Sequence, residues 1–316
     1  MNNLLAVDAK GLHKNFGSVQ AVRGIDLQVA PGEVVAFLGP NGAGKTTTID
    51  MILGLSQPGK GTVSVYGGTP RQAIARGQVA AVMQTGGLLK DITVKESVQL
   101  TAAMFDSPRP VVEVLERAGI AELADRRVEK CSGGQQQRLR FAMALVSDPG
   151  LMILDEPTTG MDVTGRRDFW QAIRQDAHRG RTVVFATHYL EEADSYADRV
   201  VLVRKGRIVA DGTAAQIKNL ASGRTVRAAL SHDDPRLALL PEVDSVEHDG
   251  ARVTIRTRES DAVLRFLLTE TDAHDLEVTA NNLEDAFVAL TSDEAEDIAS
   301  LPETAAEPRT ESEARA

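Results

Sequence analysis

The sequence predicts an α/β fold with a parallel sheet over about residues 1–223, followed by a small α+β domain over about residues 224–291. A glycine-rich loop at 39–47 follows a short, apolar segment at 33–38 and precedes a segment that can continue as a helix. A second apolar segment, at 151–154, runs directly into two carboxylates. After residue 223, short strand-like and helix-like segments alternate, which favours a separate small domain. Within it, two strand-like segments at 243–247 and 253–256 are expected to be joined by a hairpin turn at 248–250.

The glycine-rich loop fits the phosphate-binding pattern G-x-x-x-x-G-K-[ST]. Its glycines let the backbone approach phosphates closely, while the N–H groups of the following helix point at the anion. Lys45 supplies a full positive charge, and the hydroxyl of Thr46 is placed to bind Mg²⁺. We therefore expect a nucleotide site in a phosphate-loop (P-loop) NTPase core, the alternative being a turn that binds nothing. The loop residues predicted to contact the nucleotide are Gly39, Asn41, Gly42, Gly44, Lys45, Thr46 and Thr47.

Two adjacent carboxylates, Asp155 and Glu156, end the apolar segment at 151–154. A carboxylate at the end of a buried strand reaches the sheet edge where nucleotides bind, so Asp155 is predicted to hold Mg²⁺ directly or through water. Its neighbour must point elsewhere, which suits Glu156 for the general base that activates a water molecule. The predicted chemistry is hydrolysis. A solvated acidic pair at a strand end is the alternative.

The motifs along the chain, taken together and in their order, closely resemble those of the ATP-binding-cassette (ABC) ATPases over about residues 4–220. This resemblance implies a P-loop NTPase core with a β-subdomain and a helical subdomain, the latter over about residues 85–150. Cys131 departs from the family pattern, which most often has Leu there. The motifs that carry the resemblance are the phosphate loop, Gln84, Cys131-Ser132-Gly133-Gly134-Gln135, Asp155-Glu156-Pro157, Thr159-Gly160-Met161-Asp162 and His188.

The resemblance gives roles to three residues that carry little signal by themselves. Gln84 is expected to contact Mg²⁺ or water and to link the site to a membrane partner; it follows a strand-like segment at 79–83. His188 follows the strand-like segment 182–187 and is expected to contact the γ-phosphate or the attacking water. Phe16 is expected to stack on adenine. The alternatives are a polar strand end, a surface histidine and a packing phenylalanine, and the choice of ATP over GTP depends on the resemblance.

A second phosphate cradle is expected at Ser132, Gly134 and Gln135, just before a helix. In the ABC family this signature segment closes on the ATP of another subunit. Asp162, in a later motif, is also expected to bind the nucleotide. Because the chain has one set of motifs, it should pair head to tail with a second copy of itself or with a close paralogue. An ordinary helix cap is the alternative for Ser132.

Composition limits the partners and the location of the chain. A net charge of −10 and 4% aromatic residues argue against a nucleic-acid surface. A single cysteine fits a reducing cytosol, and the sequence has no run of 18 apolar residues. If the chain powers transport, a separate transmembrane subunit must therefore form the path. We expect a peripheral location on the cytoplasmic face of the membrane, with contact to the membrane only through that partner.

The C-terminal region gives the basis for choosing export. Residues 282–290 predict a capped amphipathic helix with Leu283, Phe287 and Leu290 on one face, more typical of packing than of a cofactor site. This segment also resembles the Leu-Glu-Asp-x-Phe ending of ATPase subunits from drug and antibiotic exporters of the ABC-2, daunorubicin-resistance-like group. Residues 292–316, with eight acidic and two basic residues, predict a disordered tail.

The sequence therefore predicts an ATPase subunit of an exporter. A soluble ABC ATPase acting on ribosomes or DNA, or the ATPase of an importer, is the alternative. Leu88, Leu89 and Ile92 are candidates for an apolar patch that receives the membrane subunit, or for a loop folded onto its own core. The cargo contacts are expected to lie in the partner.

Overall fold

The structure is a computed structural model that describes residues 4–83, 87–220, 223–232, 234–280 and 282–291. The strands are β1 (Val7–Phe16), β2 (Val19–Val29), β3 (Val34–Leu38), β4 (Lys60–Val65), β5 (Val79–Val82), β6 (Leu151–Asp155), β7 (Thr182–Ala186), β8 (Arg199–Arg204), β9 (Arg207–Gly212), β10 (Arg224–Ala229), β11 (Val243–Asp249), β12 (Arg252–Thr257) and β13 (His274–Ala280). The helices are α1 (Lys45–Ile52), α2 (Pro70–Ala75), α3 (Val94–Ala102), α4 (Val111–Arg117), α5 (Gly133–Leu145), α6 (Val163–His178), α7 (Leu190–Tyr196), α8 (Ala214–Leu220), α9 (Ser260–Glu270) and α10 (Leu283–Thr291).

A six-stranded sheet in the order β5-β6-β7-β3-β8-β9 forms the centre of the chain. The pairs from β5 to β8 are parallel, and β9 adds an antiparallel edge. Ala186 at the end of β7 pairs with both Phe37 of β3 and Asp155 of β6. The loops that follow these three strands therefore leave the same edge of the sheet, as the sequence predicted.

Both faces of this sheet are buried, which explains why its strands are continuous apolar runs. Successive residues of a strand point to opposite faces. Accordingly, Val35 and Phe37 join the apolar cluster that includes α1 and the β1–β2 hairpin, whereas Ala36 and Leu38 join the cluster beneath the helices. The same alternation divides the other central strands, so the site edge is anchored from both sides.

Two further units cover this sheet. The antiparallel sheet β2-β1-β4 packs with α1 on one side. On the other side, α3, α4 and α5 form the helical segment predicted for about residues 85–150, and its apolar side chains join the larger core cluster. Within the suggested docking loop, Leu88 packs against that cluster while Leu89 is exposed, so the segment has features of both readings.

The C-terminal strands form an antiparallel sheet in the order β11-β12-β10-β13, with α9 packed on it around a separate apolar core. This is the predicted small α+β unit. One local expectation was wrong: we expected the hairpin turn at 248–250, but β11 continues to Asp249, which pairs with Arg252. The turn therefore consists of Gly250 and Ala251. Gly250 has φ +59°, the left-handed conformation such a turn requires.

The last helix, α10, does not pack on this C-terminal core. Its buried residues Leu283 and Ala286 belong to the large cluster beneath the central sheet, and α10 contacts α7 and α8. The apolar stripe predicted for this helix is thus a packing face. The division of the chain at residues 223 and 291 remains a prediction, and the expected tail at 292–316 lies outside the described residues.

Candidate active site

The phosphate loop leaves the end of β3 at Gly39 and enters α1 after Gly44. Gly44 has φ +102°, and a Cβ at this position would lie 2.4 Å from the carbonyl oxygen of Ala21. A Cβ on Gly39 would lie 2.2 Å from the carbonyl oxygen of Val203. Only glycine fits these two positions, because backbone from β2 and β8 lies against the loop. The N–H groups of the first turn of α1 then point out of the helix toward the loop, where an anion is favoured.

Lys45 folds back over the loop. Its Nζ donates hydrogen bonds to the carbonyl oxygens of Gly39, at 2.5 Å, and Pro40, at 3.1 Å. Burial lowers the pKa of Lys45, and the negative charges of Glu156 and Asp155 act in the opposite direction. A lysine held next to two carboxylates keeps its positive charge near the place where a phosphate would sit.

Asp155 has the environment expected of a cation ligand. Burial raises its pKa, and the charges of Glu156 and Asp50 raise it further, while Lys45 lowers it. A bound cation would relieve this accumulation of negative charge. Among the described residues, no cluster of three or more His, Cys, Asp or Glu side chains is suited to a metal ion.

Glu156 and His188 are brought into direct contact, with His188 Nδ1 against Glu156 Oε2. Glu156 has φ +52°, which is uncommon for a residue with a side chain, and its N–H donates to the carbonyl oxygen of Ala186 at 2.9 Å. This backbone turn directs Glu156 away from Asp155. The two adjacent carboxylates therefore have different neighbours, as the expected division of roles requires.

Phe16 lies at the end of β1 with 56% of its surface exposed, so it is not part of the core. It pairs with Val19 at the start of β2, two residues before the Ala21 carbonyl that contacts the loop. The stacking of this exposed ring on adenine remains a prediction. Lys14 Nζ lies 5.4 Å from its centroid. Among the other loop residues, Asn41, Gly42 and Thr46 are exposed and Thr47 is partly buried.

The signature residues form a second location. Ser132 caps α5: its Oγ accepts from the N–H of Gln135 at 3.3 Å, and Gln135 Oε1 accepts from the N–H of Ser132 at 3.0 Å. Asp162 caps α6 by accepting from the N–H of Gly165 at 2.6 Å. A cleft of about 420 Å³ is lined by both groups, including Gly134. The capping alternative is thus realised, while the expected contact with the ATP of another subunit remains a prediction.

Cys131, the departure from the family pattern, is buried beside this cap. Its Sγ lies 3.6 Å from the carbonyl oxygen of Arg127, and burial raises the pKa of the thiol, with Arg126 acting against this. The side chain is therefore a neutral packing group at neutral pH. Gln84, predicted at the site, lies outside the described residues.

The sequence reasoning missed a buried polar cluster next to Glu156 and His188, formed by Thr158, Thr187 and Glu192. A signal was present, because Glu192 shares a helical face with Ala193 and Tyr196, at spacings typical of a packed side of a helix. Buried carboxylates are rare unless they are paired, so the charge of Glu192 argued against burial and the sequence analysis did not single it out.

The family profile described as ABC transporter matches residues 22–159. The protein called Nod factor export ATP-binding protein I from Paraburkholderia xenovorans (strain LB400) is 36% identical over 301 residues, which cover 92% of this chain and 99% of that protein. The protein of the same name from Ralstonia nicotianae is 33% identical over 305 residues, covering 92% of this chain and 95% of that one.

Solved structures give the same result for the cassette part. An ATP-binding subunit of an ABC transporter aligns with a TM-score of 0.62 and 27% identity, covering 68% of this chain and 92% of that one. An ATP-binding cassette in a dimeric post-hydrolysis state, bound to ADP and Pi, aligns with a TM-score of 0.59 and 26% identity, covering 66% of this chain and 98% of that one.

Proposed function

Since this chain belongs to the ABC transporter family as an ATP-binding, ATPase subunit, we propose that it hydrolyses ATP at the Lys45–Glu156–His188 edge of its central sheet to power export through a separate membrane subunit. The observation that supports the catalytic assignment is the convergence of three neighbouring strand ends. The phosphate loop, the Asp155-Glu156 pair and His188 meet there, and Glu156 contacts His188.

Each side chain has a distinct task in this proposal. The loop N–H groups and Lys45 bind the β- and γ-phosphates, and the exposed ring of Phe16 stacks on adenine. Glu156 accepts the proton of the attacking water, and His188, in contact with Glu156, holds that water and the γ-phosphate in position. Asp155 and Thr46, with Gln84, are the proposed ligands of Mg²⁺, which when bound would neutralise charge on the phosphate oxygens.

The chain is proposed to act as a pair. The capped start of α5 lies at a cleft that is distinct from the Lys45 edge. In the proposed pair, each composite ATP site therefore combines the Lys45 edge of one chain with this cleft of the other. The cleft residues involved are Ser132, Gly134, Gln135 and Asp162. The solved dimeric cassette similar to this chain supports such an arrangement. A homodimer is the simplest form, because the sequence contains one set of motifs.

Export is supported by the names of the relatives, which are called export ATP-binding proteins. Among the described residues, none of the helices is long and apolar enough to cross a bilayer. The transport path would then belong to a separate transmembrane subunit, and the exposed Leu89 is a candidate contact for it. This arrangement would hold the chain at the cytoplasmic face of the membrane.

Turnover and ATP binding are expected to separate in two variants. Glu156→Gln removes the base but keeps the shape, so ATP binding should persist while turnover falls by about 10²–10⁴. Lys45→Ala should weaken ATP binding itself, because it removes a phosphate contact. The measurements are ATP affinity, phosphate release, and sedimentation with Mg²⁺ and ATP, where Glu156→Gln should accumulate as a dimer.

The matched control is Glu191→Gln, at an exposed carboxylate in the first turn of the neighbouring helix α7. It undergoes the same isosteric loss of charge and should retain wild-type turnover. Wild-type turnover in Glu156→Gln would remove Glu156 as the base.

A further inference from the structure

Glu192 of α7 is a buried carboxylate that joins two loops of the site. It is 2% exposed, and its Oε1 accepts a hydrogen bond from Thr158 Oγ1 at 2.5 Å while its Oε2 accepts one from Thr187 Oγ1 at 2.8 Å. Thr158 lies two residues after Glu156, and Thr187 lies directly before His188. One side chain thus holds both segments whose neighbouring residues meet in the Glu156–His188 contact.

The cluster extends on both sides of Glu192. The Nε of Arg166, on α6, lies 3.6 Å from Glu192 Oε1, and the guanidinium of Arg166 lies 3.9 Å from the centroid of the Tyr189 ring. The N–H of Tyr189 donates to Thr187 Oγ1 at 3.0 Å. Thr187 therefore receives one hydrogen bond and gives another, which fixes the orientation of its hydroxyl. His188 therefore lies between Thr187 and Tyr189, whose positions are fixed by these contacts.

We propose that Glu192 is a positioning residue for ATP hydrolysis, which sets the separation of the 156–162 and 187–189 loops and thereby keeps His188 in contact with Glu156. The inference rests on the proposed roles of Glu156 and His188. Glu192 acts through those residues and has no direct contact with the nucleotide in this scheme. A displacement of about 1 Å in a reacting group can cost about 10²-fold in rate, so a group that fixes such a distance affects turnover strongly.

A purely structural role for Glu192 is the alternative, and the chain offers a matched control for it. Asp176 on α6 is also buried, pairing with Arg117 at 2.6 Å and with Arg181 at 3.1 Å. Arg181 directly precedes the first residue of β7, at the end of the strand opposite to His188. Asp176→Asn therefore breaks a comparable buried ion pair at the other edge of the sheet. It should lower thermal stability and leave the kcat of the folded protein unchanged.

The test measures kcat, KM for ATP, ATP affinity and melting temperature for Glu192→Gln, Thr187→Val and Thr187→Ser in the full chain. Glu192→Gln keeps the shape of the side chain but loses its charge and one acceptor, and we expect kcat to fall about 10- to 100-fold with ATP affinity retained. Thr187→Val loses the hydroxyl, and its kcat should fall by a similar factor. Thr187→Ser keeps the hydroxyl, and its kcat should stay close to that of the wild type. A rescue of this kind would not follow from packing alone, because Val is closer to Thr in shape.

A double-variant comparison tests the route. If Glu192 acts through His188, Glu192→Gln should lower kcat little further in a His188→Ala background, because residues that act as a unit are not additive. Full additivity would overturn the proposal, as would a wild-type kcat in Glu192→Gln or a loss in Asp176→Asn of equal size. If Glu156→Gln and His188→Ala themselves keep wild-type turnover, the proposed catalytic roles fail, and this outcome is distinct from a failure of Glu192 alone.

Discussion

Glu156 shows how far a single residue can be predicted from the sequence. Its position after a buried strand and next to Asp155 indicated a catalytic pair, because strand ends of a parallel sheet meet at one edge. Its φ of +52° was not predictable, since it depends on the hydrogen bond from its N–H to Ala186 on a strand distant in sequence. This conformation makes the two carboxylates diverge.

The partners of Glu192 could not be predicted from the sequence for a related reason. Its partners are Thr158, Thr187 and Arg166, which come from separate loops and helices. A carboxylate followed by Ala on a helix looks solvated unless those donors are known to converge on it. By contrast, the phosphate loop was predictable in detail, because its glycines and Lys45 form one continuous local pattern.

Gly44→Ala should impair ATP binding in addition to straining the backbone. The new Cβ would meet the Ala21 carbonyl oxygen at 2.4 Å, so the loop must move. Gly180 is the matched control, since its φ of +97° is close to the +102° of Gly44 but a Cβ there would have nothing within 4 Å. Both variants should cost about 1–2 kcal/mol of stability for the left-handed conformation.

Only Gly44→Ala should also weaken ATP affinity, by about tenfold or more, which corresponds to about 1.4 kcal/mol. ATP titration and thermal unfolding of the two variants provide the comparison. Equal ATP affinities would show that the approach of β2 does not shape the loop.

At the scale of elements, the parallel strands were the most predictable part of the fold. Both of their faces are buried, so each strand is a continuous apolar run that a sequence pattern detects directly. The turn of the β11–β12 hairpin was expected at 248–250, because Asp249-Gly250 is typical of a turn, but β11 runs two residues further and Asp249 still pairs with Arg252. Local turn chemistry identified the hairpin, and cross-strand pairing decided where it begins.

The partner of α10 could not be predicted, although its apolar stripe was. An amphipathic helix shows that one face is buried and gives no information on what covers it. In the structure, the stripe faces α7 and α8, and a cleft of about 390 Å³ between His188, Tyr189 and the start of α10 separates it from the site. The chain after the C-terminal sheet therefore returns to the cassette.

A pair of variants on α10 measures this packing. Leu283 is 2% exposed and belongs to the large core cluster, so Leu283→Ala should lower the free energy of unfolding by about 2–5 kcal/mol. Val288, on the same helix, is 58% exposed, and Val288→Ala should change it by about 0.5 kcal/mol or less. Chemical denaturation of both variants gives the two values. A Leu283→Ala protein as stable as Val288→Ala would mean that α10 is detached in solution.

At the scale of the whole molecule, the proposed catalytic edge and the surfaces proposed for assembly lie in different parts of the chain. The two halves of the proposed composite ATP site lie in different parts of one cassette, the Lys45 edge and the Ser132 cleft. In this proposal, either half is completed by another cassette. The C-terminal sheet has its own apolar core, and the two solved cassettes align with 66–68% of this chain.

Two truncations test what that additional unit contributes. Deleting residues 292–316 removes eight acidic and two basic residues with no aromatic side chain, so little apolar contact is lost, and ATPase activity and transport should stay nearly intact. Deleting residues 224–316 also removes the C-terminal sheet and α10, which uncovers the apolar faces of α7 and α8 that Leu283 and Ala286 bury.

The longer truncation should still bind nucleotide, because the phosphate loop connects β3 to α1, and both pack in a core that does not include the C-terminal sheet. It should instead lose pairing with a second cassette or stable assembly with the membrane subunit. We would measure nucleotide affinity, dimer fraction and co-purification with membranes for both truncations and for Leu283→Ala. If Leu283→Ala reproduces the assembly defect, α10 is responsible for assembly. If only the longer truncation shows the defect, the C-terminal sheet is responsible. Normal dimerisation together with normal membrane assembly in the longer truncation would rule out an assembly role and favour regulation of the cassette by this unit.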